Sequence, residues 1–265
     1  MFIKQENGFF IKMKLNYLFY PNELSKDSLI ILHGLFGSSK NWVNIAKELS
    51  KIINVYSLDL RNHGDSPHSD SHTLKDMIQD LKEFLEDRGL ESVILLGHSM
   101  GGLVAMGFSL EFPEQVNKLI VVDIAPKAYP PHHQKEFAVL KTDVSRFSTR
   151  QEIDEYLAKI QPDSAIRQFL MMNLQRTESG YRWKIHVSAL EKIEYLKEIE
   201  QFQEKKFLKD SLFIRALDSF YIQPEDKTII KKYFPNAKIV ELKGNHWIHY
   251  SNQKEFLQVV KDFIL

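Results

Sequence analysis

Short, wholly apolar runs alternate along this chain with longer stretches whose apolar residues recur every three or four positions. Leu29–His33, Val55–Leu58, Val93–Gly97, Leu119–Val122 and Leu212–Ala216 are runs of the first kind. They predict strands buried on both faces. Phe9–Met13 and Leu15–Tyr20 predict two opening strands, and Ile239–Leu242 a last one, for a mostly parallel sheet of eight. Asn41–Ser50, Leu74–Arg88, Leu103–Glu111 and Lys254–Phe263 carry the helical spacing between them, with Gly89 and Pro113 placed as stops. Strands alternating with amphipathic helices describe an α/β fold, a parallel sheet flanked by helices.

The stretch from Ala125 to about Lys209 breaks this rhythm. It opens on Pro126, Pro130 and Pro131 and shows helical patterns at Gln134–Val144, Thr149–Ile160, Ser164–Leu174 and Val187–Phe202. Strands resume afterwards, so the segment reads as a helical cap (125–209) inserted between the sixth and seventh strands of a core formed by 1–124 and 210–265. A separate helical domain is the alternative.

Bulk properties narrow the chemistry. The 265 residues include 35 basic and 35 acidic ones, a balance that offers no polyanion-binding face and argues against a nucleic-acid partner. The absence of cysteine excludes a disulfide framework, a thiolate zinc site and a cysteine nucleophile. No apolar run approaches the ~18 residues of a membrane span. Lys4, Gln5, Glu6, Asn7 and Lys12 interrupt the apolar residues at the start, so no signal-peptide core is expected and the cytoplasm is the expected location.

The most informative string is Gly97-His98-Ser99-Met100-Gly101, set between a buried strand and an apolar helical pattern. A sharp strand-to-helix turn would leave Ser99 exposed at its tip, with glycines where side chains would collide. A serine hydroxyl needs a partner to take its proton, and histidine suits neutral pH. His246, in Gly244-Asn245-His246-Trp247 after the last strand, is the candidate base. Among the other histidines, His33 and His63 precede glycines in loops, His68, His72, His132 and His133 read as exposed, and His249 could brace His246.

A carboxylate must hold the imidazole. Asp123 ends one core strand and Asp218 follows the next. In folds of this kind the acid on the later strand commonly stands three residues after a glycine. Counted from Ala216, that offset lands on Ser219, and Asp218 falls one short. Neighbouring side chains in extended backbone point opposite ways. Spacing therefore favours Asp123, with Ser219 as a hydrogen-bonding helper, Asp218 as the alternative and Asp59 as a remote third. His33-Gly34-Leu35-Phe36-Gly37 follows a buried strand and can aim an amide at an oxyanion. Leu35 is the first choice and Phe36 the second, with the N–H of Met100 as the other donor. Phe36, His98 and Trp247 adjoin these groups as candidate substrate contacts. Arg61 could grip a carboxylate or phosphate, or brace its own loop. Phe137, Phe147, Phe169, Leu170, Met171, Met172 and Trp183 of the cap could line an acyl pocket or simply pack helices.

Taken together, Leu32-His33-Gly34-Leu35-Phe36-Gly37-Ser38, Asp59-Leu60-Arg61-Asn62-His63-Gly64-Asp65-Ser66-Pro67, Gly97 to Gly102, Asp123-Ile124-Ala125-Pro126 and Gly244 to Trp247 resemble the YbfF-like esterases of the α/β-hydrolase superfamily. Tyr181-Arg182-Trp183-Lys184 is a looser match. The resemblance implies the α/β-hydrolase fold and hydrolysis of short to medium acyl esters, with acyl-CoA thioesters as further substrates. It also implies the acid at Asp123, with a serine at position 219. No metal or organic cofactor is expected. A carbon–carbon bond hydrolase or a menaquinone-pathway lyase could use the same groups, and a non-catalytic small-ligand receptor could retain the pocket.

Overall fold

A computed structural model describes residues 12–192 and 195–265. Nine strands are present among them: β1 Tyr17–Tyr20, β2 Ser28–Leu32, β3 Asn54–Leu58, β4 Val93–His98, β5 Val116–Val122, β6 Leu174–Thr177, β7 Gly180–Trp183, β8 Ser211–Ala216 and β9 Ala237–Leu242. The helices are α1 Val43–Leu49, α2 Leu74–Arg88, α3 Met100–Glu111, α4 Gln134–Leu140, α5 Arg150–Leu157, α6 Ser164–Met171, α7 Val187–Leu190, α8 Tyr195–Glu198, α9 Asp226–Tyr233, α10 Ile248–Ser251 and α11 Gln253–Ile264.

Seven strands form one sheet in the order β1-β3-β2-β4-β5-β8-β9. Only β1 runs antiparallel to its neighbour, and the other adjacent pairs are parallel. β2 shows why its sequence is continuously apolar. Ile30 and Leu32 pack into the core shared with α2 and α3, while Leu29 and Ile31 pack into the core shared with α1 and α11. Alternate side chains of a strand covered on both faces must all be apolar. α2 starts at Thr73, whose hydroxyl accepts the Asp76 N–H, and stops at Gly89 with φ 64°. That left-handed cap is the stop read from the sequence.

Two expectations are corrected. The sheet has seven strands among the described residues, not eight. Of the expected Phe9–Met13 strand, 9–11 lie outside the described residues. Lys12 and Met13 are not in a strand, and the Met13 N–H bonds the Glu83 carboxylate rather than a ladder. The segment between β5 and β8 is not wholly helical either. β6 and β7 form an antiparallel hairpin, and Val187–Phe202 is divided into α7, α8 and a 3₁₀ turn at Ile199–Phe202. Leu174-Gln175-Arg176-Thr177 is too polar to read as a buried strand. Because β5 and β8 are neighbours in the sheet, this whole segment leaves and re-enters at adjacent strands. Its His132, His133, Glu136, Ile166 and Phe169 line a cavity together with Ser99.

Candidate active site

Ser99 sits at the corner between β4 and α3 with φ 52° and ψ −119°. This left-handed backbone is strained for a residue with a side chain. It is held by the Ser99 N–H donating to the Val122 carbonyl at 3.1 Å. The flanking glycines are required by close approach. A Cβ on Gly97 would lie 2.2 Å from the Gly101 carbonyl oxygen, and one on Gly101 would lie 2.4 Å from that of Leu32.

Asp123 follows β5 directly, at φ 50°, and is fully buried. Its Oδ1 accepts the Ala216 N–H at 3.0 Å. Its Oδ2 accepts the Ser219 hydroxyl at 2.5 Å and lies 2.8 Å from His246 Nδ1. The carboxylate therefore has partners on both oxygens, which a buried charge requires. Asp218 is exposed, and its N–H bonds the Gly244 carbonyl at 2.9 Å. The structure thus joins His246 to Asp123 and not to Asp218, and Ser219 braces the same oxygen that meets the imidazole. Asp59 accepts the Ser39 and Asp65 N–H groups at 2.6 and 2.9 Å and braces its loop.

His246 is oriented from several sides. Its Nδ1 bonds Asp123, which leaves Nε2 as the other ring nitrogen. Tyr221 stacks on the ring with centroids 3.9 Å apart and planes 18° from parallel. The His246 carbonyl accepts a hydrogen bond from His98 Nε2 at 2.9 Å. Burial, with the nearby His246 and His249, holds His98 well below the ordinary histidine pKa, so His98 is neutral. His249 stacks on Trp42 at 4.2 Å and meets the His98 ring at 4.8 Å. Among the hydrogen bonds of the described residues none joins Ser99 Oγ to His246. Bonds of this kind commonly tighten only when substrate is bound.

Ser99 and His246 line one cavity of about 260 Å³. Leu35, Phe36, His98 and Trp247, read from the sequence as site residues, line it too, as does Phe169. The N–H groups of Leu35 and Met100 have no acceptor among the described residues. Phe36 is corrected as the alternative oxyanion donor, because its N–H already donates to His63 Nε2 at 3.2 Å. Arg61 is corrected as a substrate contact. It does not line the cavity, and its guanidinium grips Asp80 through two bonds of 2.6 and 2.7 Å, with Asp76 at 3.2 Å. The loop-bracing reading is the one the geometry supports. Arg61→Ala is therefore expected to cost about 3–5 kcal/mol of stability, by stranding Asp80, while leaving KM for neutral esters unchanged. Urea unfolding and ester kinetics check it.

The sequence did not reveal Tyr221, His132, His133 or Glu136, all of which line the cavity. His132 Nε2 lies 2.5 Å from the Tyr221 hydroxyl. A histidine pair directly after Pro130-Pro131 was the available signal, and it reads equally as a solvated loop. His72, expected at the surface, is buried against Tyr195 at 5.6 Å.

Five buried histidines and the half-buried His133 share one consequence. Burial lowers the pKa of His33, His63 and His98, and brings His72, His133 and His249 to about 3. In the unfolded chain each takes up its proton near the ordinary value of about 6.5. Below that pH the unfolded state binds more protons, so folding stability falls as pH drops from about 6.5 and is insensitive to these groups above it. Each fully differential histidine adds a slope of about 1.4 kcal/mol per pH unit. Urea midpoints at mildly acidic and mildly alkaline pH test this. Equal midpoints would contradict it.

With this geometry in place, comparison with known proteins identifies the family. The alpha/beta hydrolase fold family matches residues 27–253. The chain belongs to the α/β-hydrolase family. The sn-1-specific diacylglycerol lipase ABHD11 of Mus musculus is 33% identical over 98% of this chain and 88% of its own length. A putative esterase/lipase of Haemophilus influenzae (strain ATCC 51907 / DSM 11121 / KW20 / Rd) is 31% identical over 96% of this chain and 89% of its own. Among solved structures, a marine microorganism esterase superposes with a TM-score of 0.87 at 38% identity, covering 95% of this chain and all of that one. This α/β hydrolase is an enzyme, and its relatives include proteins named esterases and lipases. Among its described residues no helix is long and apolar enough to cross a membrane.

Proposed function

We propose that this α/β hydrolase cleaves carboxylic esters or acyl thioesters of short to medium chain length through an acyl-enzyme on Ser99. The observation that carries the reading is the 2.8 Å contact between His246 Nδ1 and the buried Asp123, placed at the cavity into which the strained Ser99 turn opens. Asp123 holds the Nδ1–H tautomer, so Nε2 is the basic nitrogen. Ser99 Oγ attacks the substrate carbonyl while His246 takes its proton. The amides of Leu35 and Met100 hold the developing oxyanion. The protonated imidazole then gives its proton to the leaving alcohol or thiol. Water, deprotonated by His246, attacks the acyl-enzyme and restores Ser99.

Cavity size supports the chain-length part. About 260 Å³ is below the roughly 300–1,000 Å³ typical of pockets for drug-sized ligands. Residues 125–209 act as the cap that closes it, above a core of 1–124 and 210–265. The Asp123-Ile124-Ala125-Pro126 and Arg61-Asn62-His63-Gly64 segments support membership of the YbfF-like esterases in particular.

The test is turnover of p-nitrophenyl esters from acetate to palmitate, with matched acyl-CoAs. Turnover that peaks with the short and medium esters is the expected result. Activity confined to palmitate, or to carbon–carbon bond substrates, would contradict it.

A further inference from the structure

Two histidines take no part in the chemistry above, yet His33 and His63 are wholly buried beside the loop that carries Leu35. They are bonded crosswise. His33, just after β2, places Nδ1 on the Gly34 carbonyl at 2.8 Å, and its Nε2 accepts the Leu60 N–H at 3.0 Å. His63, in the loop after β3, places Nδ1 on the Arg61 carbonyl at 2.9 Å, and its Nε2 accepts the Phe36 N–H at 3.2 Å. Each loop lends an imidazole that accepts an amide of the other, and the rings meet edge to face at 4.9 Å.

Both bond patterns require the neutral ring with its proton on Nδ1, because a nitrogen that accepts an N–H must offer a lone pair. Burial favours that neutral form in each ring. The clasp spans two left-handed residues, Phe36 at φ 64° and Asn62 at φ 68°, so it holds backbone that would not adopt this shape alone. Asn173 adds a third tie, its Nδ2 donating to the Phe36 carbonyl at 2.8 Å.

The amide that His63 holds is the one next to Leu35. We propose that His63 is a positioning residue: by holding the Phe36 N–H it leaves the Leu35 N–H as the donor facing the oxyanion at Ser99. The assignment rests on the ester-cleavage reading above. It gives a task to the Arg61-Asn62-His63-Gly64 segment, which no step of the chemistry otherwise uses.

The test uses p-nitrophenyl butyrate hydrolysis, together with inhibition by an alkyl trifluoromethyl ketone, which forms an oxyanion adduct on the serine. His63→Leu is expected to lower kcat roughly 10- to 100-fold with KM within about two-fold, a loss near the scale of one oxyanion donor. Ketone affinity should fall in parallel. His63→Gln, whose side-chain carbonyl can accept the same N–H, should recover most of both. A His63→Leu protein with wild-type kcat and ketone affinity would overturn the assignment, as would equal losses in the two variants. Should His63→Leu fail to fold, His63→Asn replaces it, its amide being too short to reach Phe36. A deficit confined to His63→Asn supports the assignment, and equal kcat in Asn and Gln overturns it. A wild type that neither cleaves the ester nor binds the ketone removes the ester reading and the assignment with it. An active wild type with an unaffected His63→Leu removes the assignment alone.

Discussion

Ser99→Ala is expected to lower kcat for p-nitrophenyl ester hydrolysis by roughly 10⁶-fold, the scale seen when a serine hydrolase loses its nucleophile. Everything else in the cavity stays in place. Ser99 Oγ has no bonding partner among the described residues, so the fold loses little when it is removed. The left-handed backbone at φ 52° strains alanine as it strains serine. The residual rate reports what the Leu35 and Met100 amides and substrate binding achieve without a covalent intermediate. Circular dichroism and the urea midpoint should match the wild type, and kcat alone should collapse. A variant retaining a tenth of the activity would require another nucleophile.

The second large effect separates the two candidate acids. Asp123→Asn should reduce kcat about 10⁴-fold, because the amide cannot stabilise the imidazolium and favours the wrong tautomer of His246. Asp218→Asn should leave kcat unchanged, since that side chain is exposed and the imidazole bonds elsewhere. Ser219→Ala falls between them. It removes the 2.5 Å donor to Asp123 Oδ2 but leaves the Ala216 N–H and His246 bonds intact. Paired measurements on the three variants decide the assignment, and a loss at Asp218 with none at Asp123 would reverse it.

Much of this architecture was legible because its causes are local. A strand covered on both faces must be apolar throughout, and Leu29 to Leu32 announce it. The turn at Ser99 needs glycine where a Cβ would strike a carbonyl oxygen, so its string of residues carries its own geometry. The choice of Asp123 over Asp218 rested on a one-residue offset and on alternation along extended backbone. The pairing of Asp123 with His246, 123 positions away, follows that choice.

What was not legible depends on packing between distant segments. The stack of Tyr221 on His246 joins two loops, and an aromatic residue in a loop has no periodicity to mark it. His72, His132 and His133 read as solvated, but His72 packs against Tyr195, His132 against Phe220 and Tyr221, and His133 against Phe36, all distant in sequence. The hairpin of β6 and β7 escaped because its side chains are mostly polar. Arg61 admitted two readings until Asp80, 19 residues on and on a different element, was seen to take both arms of the guanidinium.

The central claim is that the hydroxyl at the β4–α3 corner is an activated nucleophile. Its most direct test is treatment of the wild-type protein with an alkyl fluorophosphonate, followed by mass spectrometry of the digested chain. The account predicts one phosphonyl adduct on Ser99, lost in His246→Ala. A folded protein that takes up no phosphonate, or takes it up at a different residue, would contradict it.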